Sequence, residues 1–299
     1  MRLAIIAQQE NVPLYEQAAA RSGRFEIACA TSDLTSTNGI DQLLAQRDNF
    51  DACVMLAPNS ISREQIETLA NSGKHILVEA NYTDITHLDK ISEIWKLAGA
   101  TCCAAQIRRF TPYATAIREG LDKKQLGEPG LVRIHRWLEK DQVEPPQTVL
   151  WAATVGEIDL ACSLFDSPLE VVSAQAITGQ QGIVIHLGFQ SGMAIVDCSI
   201  HAGKPFYTAS LIGSKGAAYA DDHHNTNLLM KSETLGLNVA QDSDSLRLQI
   251  ESFVDTIKSG SDDTTIDEMK RAIRVSQSAI KSAGSGQAAK FDGDQYELQ

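Results

Sequence analysis

The first turn of the chain contains no glycine, although its surroundings have the pattern of a dinucleotide-binding unit. An apolar strand, Leu3–Ala7, runs into a predicted helix, Val12–Ser22. In a G-x-G-x-x-G turn the glycines permit the tight turn, a close approach of the backbone to a pyrophosphate, and close helix packing. Ala7, Gln9 and Val12 occupy these three positions. Because Gln9 puts a side chain where a phosphate would lie and Val12 adds bulk, we expect any nucleotide to be held differently or not at all.

The helix that follows this turn keeps other features of an anion-binding terminus. Asn11 stands directly before it and Pro13 lies in its first turn. Asparagine is a good N-cap and proline suits the first helical position, so we expect Asn11 to cap the helix. A capped helix terminus attracts anions even without glycine.

Basic residues, long apolar runs and paired cysteines are also scarce, and each shortage excludes a class of protein. The chain has 26 Lys+Arg against 38 Asp+Glu and a net charge of −12, which disfavours nucleic acid and anionic membrane surfaces as partners. No segment approaches the roughly 20 apolar residues of a membrane span, and no signal-peptide pattern is present. We therefore expect a cytoplasmic protein. The six cysteines form no C-x-x-C pair and are expected to be buried, reduced thiols.

No metal site is predicted from the histidines and acids. The run from Asp221 to His224 has suitable ligand types, but adjacent residues in a polar turn seldom converge on one ion. A solvated loop is the expectation there.

The first part of the chain alternates strands and helices, whereas the rhythm changes after about Tyr113. The alternation predicts an α/β fold, with a Rossmann-like, doubly wound parallel sheet in a domain over residues 1–113. A helix over Tyr113–Lys123, a strand over Leu131–Trp137 and a loop over Glu139–Thr148 follow. A helix over Glu157–Phe165, several strands joined by short turns, and two closing helices predict a C-terminal α+β domain over residues 114–299 with an open, largely antiparallel sheet.

Several segments, in this order, resemble the glucose-fructose oxidoreductase and inositol dehydrogenase family, known as Gfo/Idh/MocA. The resemblance covers nearly the whole chain. It rests on two strands, Asp51–Asn59 with its Pro-Asn ending and Gly73–Glu79 with its final Glu. It also rests on the Arg-Arg-Phe-Thr-Pro segment Arg108–Pro112, the Ile-Asp-Leu helix segment Ile158–Leu160, and Leu211–Gly216 with its Gly-Ser-Lys-Gly turn.

The resemblance implies an NAD- or NADP-dependent oxidoreductase that acts on sugars, cyclitols or similar hydroxylated compounds, as a dimer or tetramer. Such chemistry needs a lysine beside the reacting oxygen and usually an Asp/His pair that moves the hydroxyl proton. In this chain the lysine position holds Ala80, and the aspartate and histidine positions hold Ala152 and Gly156. The scaffold is therefore expected to be kept and the family chemistry lost.

The positions that correspond to the family's cofactor site form a degenerate set. Its members share a place at or just beyond the carboxyl ends of the first strands: Ala7, Gln9, Asn11, Val12, Asp33, Pro58, Asn59 and Glu79. Glu79 could bind a ligand or could be a structural carboxylate. Asp33 could contact a ribose, although the alignment favours its neighbour Ser32.

Two residues are candidates for a substitute catalytic role. Glu157, next to the lost histidine position, could serve as an acid or base, or could merely benefit from the dipole at a helix start, as could Asp159. Arg109 could face a ligand carboxylate or phosphate, or could form an interdomain salt bridge.

Three functions remain open at this point. The first hypothesis is a small-molecule-binding or regulatory protein that uses the interdomain cleft without hydride transfer. The second is an NAD(P)-dependent oxidoreductase with non-standard catalytic residues. The third is a structural subunit that pairs through the open sheet.

Overall fold

The computed structural model describes residues 1–31, 37–56, 63–79, 85–139, 146–177, 181–201, 206–221, 227–232, 236–240, 244–260, 265–292 and 295–298. The chain divides into two compact units. The first comprises Met1–Ile107 and Asp244–Lys270, and the second comprises Arg108–Ser243 and Arg271–Gln299. The division after residue 113 that the sequence suggests for the domains stays a prediction.

The first unit is built on a five-stranded parallel sheet with the order β2-β1-β3-β4-β5. Its strands are β1 (Arg2–Ile6), β2 (Glu26–Thr31), β3 (Ala52–Met55), β4 (His75–Val78) and β5 (Cys102–Ala104). The helices between them are α1 (Val12–Ser22), α2 (Thr37–Ala45), α3 (Arg63–Asn71) and α4 (Ile85–Ala98). Because parallel crossovers are right-handed, this strand order puts α1 on one face of the sheet and α2, α3 and α4 on the other, as in a doubly wound fold.

The face of this sheet that carries α1 is completed by a helix from late in the chain. Helix α7 (Ser245–Ser259) packs against α1. Its residues Ile250, Phe253 and Val254 join Leu3 and Ile5 of β1 in one buried cluster. Apolar burial of this kind stabilises by about 25 cal/mol per Å². The α1–α7 pair therefore fixes one wall of the space at the carboxyl ends of the strands.

The second unit contains a ten-stranded sheet with the order β13-β12-β11-β10-β6-β9-β8-β7-β14-β15. Its pairs are antiparallel except for β6 with β9. The strands are β6 (Pro129–Glu139), β7 (Leu169–Ala176), β8 (Gly182–Phe189), β9 (Gly192–His201), β10 (Phe206–Gly213), β11 (Gly216–Asp221), β12 (Asn227–Ser232), β13 (Gly236–Ala240), β14 (Ala289–Asp292) and β15 (Gln295–Leu298). The helices are α5 (Pro112–Asp122) and α6 (Pro146–Ser163), and α8 spans Thr265–Ser285.

The predicted fold class is confirmed: a parallel sheet in the first unit and a largely antiparallel sheet in the second. Three strands at the ends of the large sheet, β13, β14 and β15, were not predicted, because each is only four or five residues long. Among the described residues, no helix combines the length and apolar character that crossing a membrane requires.

The predicted helix over Glu157–Phe165 is wrong at its start. Helix α6 begins at Pro146, within the segment predicted as a loop. Proline is favoured at the first position of a helix, so the Pro145-Pro146 pair marks a helix start there and not a loop. Glu157 and Asp159 consequently lie in the helix interior, three turns from its first residue.

Candidate functional site

The glycine-free turn of the first unit forms without a left-handed residue. Ala7 is fully buried, and its N–H donates to the carbonyl of Thr31 at 3.2 Å. The N–H of Asn11 donates to the carbonyl of Gln8 at 3.0 Å, while the Gln9 side chain is exposed. Lys124 is the one non-glycine with positive φ in the described part of the chain. This turn therefore differs in backbone from one that depends on glycine.

Asn11 lies at the N-cap position of helix α1 as predicted, but its side chain does not form the capping hydrogen bond. At φ −86° and ψ −25° its backbone has a helical conformation. An N-cap normally has an extended backbone from which its oxygen reaches the next amides. The first turn of the helix carries no acidic residue, so its N–H groups meet no competing carboxylate. Val12 is buried at the helix start, as its bulk suggests.

The carboxyl ends of β1, β3, β4 and β5 are aligned by backbone hydrogen bonds. The N–H of Leu56 donates to Ile6 at 2.9 Å, that of Glu79 to Met55 at 2.8 Å, and that of Ala105 to Val78 at 2.8 Å. These ladders place the side chains of Leu56, Glu79 and Ala105 side by side at one edge of the sheet. In open α/β sheets this edge is where ligands bind.

A pocket of about 380 Å³ lies at this edge and belongs entirely to the first unit. Two of the predicted cofactor-site residues, Asn11 and Glu79, line it. The other lining residues come from the turn, from α1, from the strand ends and from α7: Gln8, Leu14, Tyr15, Leu56, Ala105, Ile107, Leu246 and Gln249. None of these eight residues was predicted from the sequence to belong to a site.

Glu79 is the acidic residue of the pocket. Burial raises the pKa of its carboxyl to about 7. Among the described residues the carboxyl has neither a hydrogen-bond donor nor an ion-pair partner. Its charge also acts on Tyr15, whose pKa is raised first by burial and then by Glu79. The pocket therefore contains a carboxyl group whose charge changes near neutral pH.

Gln249 is a second buried polar group in the same pocket. Only 5% of the residue is exposed, and its Oε1 has no hydrogen-bond partner among the residues that the structure describes. Buried amide oxygens are nearly always hydrogen-bonded, so an orphan in a pocket wall calls for an explanation. No sequence signal marks this residue, because α7 reaches the pocket only through the long-range packing of the first unit.

In the second unit, Glu157 is fully buried in helix α6. Its Oε1 accepts a hydrogen bond from Arg136 Nη1 at 2.7 Å and lies 3.2 Å from Arg108 Nε. Its Oε2 has no hydrogen-bond partner within the described part of the chain. Burial raises the pKa of this carboxyl to about 7, although Arg108 opposes the rise. The helix-dipole explanation is wrong, since the dipole acts only within the first turn of a helix.

Gly156 precedes Glu157 and occupies the position that the family resemblance assigns to a histidine. A Cβ added to Gly156 would lie 3.4 Å from Cγ of Arg108. A methyl group fits at that distance, but the ring of a histidine would compete with Arg108 for space. The Arg108–Glu157 pair therefore stands beside the position where the family's histidine is expected.

Arg109 forms a salt bridge with a buried acid, Asp159. Its Nε and Nη2 donate to the two carboxylate oxygens of Asp159 at 2.8 and 2.6 Å. The Asp159 side chain is 2% exposed. Such a bidentate pair uses the guanidinium fork fully. Of the two alternatives for Arg109, the structure thus shows a salt bridge. Arg109 and Asp159 both belong to the second unit.

Other predicted positions cannot be placed. Several of them lie outside the described residues: Asp33, Pro58, Asn59, Ala80 and the Asp222–His224 segment. Ala152 lies in α6, but its side chain is not described. Over the parts of the chain that are described, no group of three or more His, Cys, Asp or Glu residues could hold a metal ion. None of the six cysteines forms a disulfide; four are buried as predicted, whereas Cys29 and Cys102 are partly exposed.

Comparison with known proteins identifies relatives among inositol dehydrogenases, although no family model matches. The chain is 30% identical over 115 residues to scyllo-inositol 2-dehydrogenase (NADP(+)) IolU of Bacillus subtilis (strain 168), covering 37% of this chain and 33% of that protein. It is 28% identical over 118 residues, 39% of this chain and 33% of the relative, to scyllo-inositol 2-dehydrogenase (NAD(+)) of the same organism. A myo-inositol dehydrogenase structure from Corynebacterium glutamicum ATCC 13032 superimposes with a TM-score of 0.78 at 15% identity, covering 98% and 99% of the two chains.

The chain thus has the fold of Gfo/Idh/MocA-type dehydrogenases, and part of its sequence is similar to two inositol dehydrogenases. The structural likeness extends over nearly all of the chain and shows the fold. The matched region spans about a third of the length of the two curated relatives.

Proposed function

We propose that this Gfo/Idh/MocA protein binds a small molecule and does not perform hydride transfer through the family's lysine, aspartate and histidine. The single observation that carries the proposal is the environment of Gly156. The side chain of Arg108 packs at that position and its guanidinium lies 3.2 Å from the buried Glu157. An ion-paired arginine cannot take up the hydroxyl proton that a histidine would accept. The alanines at the other two positions, Ala80 and Ala152, have no proton-transfer group at all.

NAD or NADP is the first ligand to test. The relatives from Bacillus subtilis are named as NADP(+)- and NAD(+)-dependent enzymes. The residues of the first unit fit such a molecule in two respects: the start of α1 has no acid to repel a phosphate, and the pocket lies at the carboxyl edge of the parallel sheet. The cofactor would supply the hydride-transfer chemistry, and Asn11 and Glu79 are the predicted site residues that would line its site.

A second candidate function is an active NAD(P)-dependent oxidoreductase of a sugar, cyclitol or related compound. The observation that favours it is Glu157, whose buried carboxyl has a pKa raised to about 7 and an Oε2 that no described residue contacts by a hydrogen bond. A carboxyl with this pKa can accept a proton at physiological pH. The substitution Glu157→Gln separates the two candidates, because it would abolish turnover in an enzyme and leave ligand binding in a binding protein.

We further infer a cytoplasmic homo-oligomer that associates through the sheet of the second unit. Cross-strand register aligns Val171, Gly188, Met193, Leu131 and Ile212 in one row. Val171, Met193 and Ile212 are exposed at 36%, 38% and 53%. A row of exposed apolar side chains on a sheet is typical of a protein interface. Light scattering after size-exclusion chromatography tests this: Ile212→Lys with Met193→Lys is expected to yield monomers.

The test of the main proposal is a titration with NADH and NADPH, followed by nicotinamide fluorescence and thermal unfolding. The same preparation is then incubated with NAD(+) or NADP(+) and a panel of inositols and sugars. Saturable binding without formation of reduced cofactor would agree with the proposal. Sustained turnover that Glu157→Gln abolishes would replace it by the second candidate.

A further inference from the structure

We propose that the second unit binds an anionic small molecule, with a carboxylate or phosphate group of the ligand on the guanidinium of Arg108 beside Gly156. This inference rests on the proposed small-molecule-binding function and names the charge of the ligand. Its residues all belong to the second unit, and none of them lines the pocket of the first unit: Arg108, Arg136, Gly156 and Glu157.

A charged side chain stands in an otherwise apolar face of the large sheet. Alternate residues of β6 share the face that α6 covers, and three of them are buried and apolar: Val132, Ile134 and Leu138. The residue between the last two on this face is Arg136, whose Nη1 donates to Glu157 of α6 at 2.7 Å. A cation in such a poorly solvated position is costly unless it is paired. Its presence there calls for an explanation beyond packing.

Two arginines share one carboxylate. Besides the bond from Arg136, Oε1 of Glu157 lies 3.2 Å from Nε of Arg108. A single carboxylate neutralises only one of two guanidinium groups, and it neutralises neither when it is protonated. The next acid along α6, Asp159, is bound through both of its oxygens by Arg109. Over the described residues, this cluster therefore carries an excess of positive charge.

The excess charge is accessible beside Gly156. Glu157 is fully buried, but the side chains of Arg108 and Arg136 are 26% and 22% exposed, and Gly156 is itself partly exposed. A Cβ at Gly156 would lie 3.4 Å from Cγ of Arg108, so the space that a side chain would fill lies next to this arginine. A guanidinium held through its Nε can present its Nη groups as the fork that matches a carboxylate or phosphate.

Glu157 makes this site depend on pH. The charged or titratable groups that face it come from its own helix and from the segments around it: Asp159 on α6, Arg108 before α5, Tyr113 on α5, Arg136 on β6, Cys198 on β9 and Tyr207 on β10. Burial raises the pKa of the two tyrosines and of the cysteine, so these groups stay neutral from pH 6 to pH 8. Burial also raises the pKa of Glu157, to about 7. Its ionised form competes with a bound anion for Arg108, whereas its protonated form does not.

The experiment compares three probes that share one sugar ring: glucose, glucuronate and glucose 6-phosphate. Binding to the full chain is measured by calorimetry and by ligand-observed NMR at pH 6 and pH 8. We expect an anionic probe to bind at least about tenfold more tightly than glucose at pH 6, and the two anionic probes show which oxyanion fits better. Glucuronate stays ionised over this range and should bind about fivefold more weakly at pH 8, because the ionised fraction of Glu157 rises from about 0.1 to about 0.9.

Variants assign the effect to the two residues. Arg108→Met should lower the affinity for the anionic probes at least about tenfold and leave that for glucose unchanged. Glu157→Gln keeps an acceptor for both arginines, so it should retain anion binding and remove the pH dependence. Arg118→Met, which removes an exposed arginine of α5 in the same unit, serves as the matched control and should change neither. Thermal unfolding of every variant verifies that it is folded.

Three results would overturn this inference. The first is equal affinity for glucose and both anionic probes, and the second is an anion affinity that Arg108→Met leaves unchanged. The third is no binding of any probe at millimolar concentrations in a protein that still binds NADH, which would refute the anion site and leave the proposed function intact. A protein that bound neither these probes nor NADH would contradict the proposed function as well.

Discussion

The Arg109–Asp159 pair offers a quantitative test of whether Arg109 is part of the framework or of a ligand site. The two hydrogen bonds, at 2.8 and 2.6 Å, join a guanidinium to a carboxylate whose side chain is 2% exposed. Arg109→Met removes the guanidinium that donates to both oxygens of that buried carboxylate. Loss of one member of a buried ion pair costs about 3–5 kcal/mol, and we expect a loss of this size in the free energy of unfolding.

The double variant Arg109→Met/Asp159→Leu removes both charges together. Replacement of a buried pair by apolar residues is often neutral, so the double variant should recover most of the stability that Arg109→Met loses. Urea unfolding of all variants, followed by tryptophan fluorescence and circular dichroism, provides the double-mutant cycle.

Arg118→Met is the matched control within the same unit. Its two acidic partners, Asp122 and Asp166, are 55% and 79% exposed, and the Arg118 side chain is 41% exposed. Exposed pairs contribute about 0–1 kcal/mol, so the loss should be small. The framework role of Arg109 would be refuted if Arg109→Met cost no more than Arg118→Met and instead abolished ligand binding.

Three further predictions concern single sites. Gly156→Ala should stabilise the protein by up to about 1 kcal/mol in thermal unfolding, because the added Cβ has room beside Arg108 and glycine disfavours a helix interior; Gly156→His should destabilise it by crowding Arg108. Glu79→Gln should raise the unfolding temperature at pH 8 by several degrees and leave it unchanged at pH 4. The reason is that the pKa of Glu79 is about 4.5 in the unfolded chain and about 7 in the folded protein, so the acid lowers stability only as the pH rises from the first value through the second. Gly213→Ala should lower stability by more than 2 kcal/mol in urea unfolding, because its Cβ would lie 2.1 Å from the carbonyl oxygen of Leu126; an unchanged midpoint would contradict the close approach.

Much of the fold follows from local sequence patterns. Alternating strands and amphipathic helices predicted the parallel sheet, and helix α7 was predicted at its observed bounds, Ser245–Ser259. Gly23 and Gly260 end helices in the left-handed conformation that few other residues adopt. These features depend on neighbours in the chain, which is why one sequence suffices to predict them.

The candidate site could be predicted only in part. Asn11 and Glu79 follow the strand pattern and line the pocket, whereas Gln249 arrives from a helix far along the chain. Its role depends on the packing of α7 against α1, which no local pattern specifies. The start of α6 was misassigned because prolines and acids are common to loops and helix starts, and this error placed Glu157 at a helix terminus.

The most direct test of the central claim is a single-turnover assay with the protein in excess over NAD(+) or NADP(+). Samples at pH 8 contain saturating scyllo-inositol, myo-inositol or glucose, and absorbance at 340 nm is followed for several hours beside a control without protein. Loss of a positioned general base slows a reaction about 10²- to 10⁴-fold, and excess protein makes even such a slow conversion visible. We predict no reduced cofactor above the control, together with saturable cofactor binding in the same samples. Stoichiometric formation of NADH or NADPH would contradict the account and show that this chain retains hydride transfer.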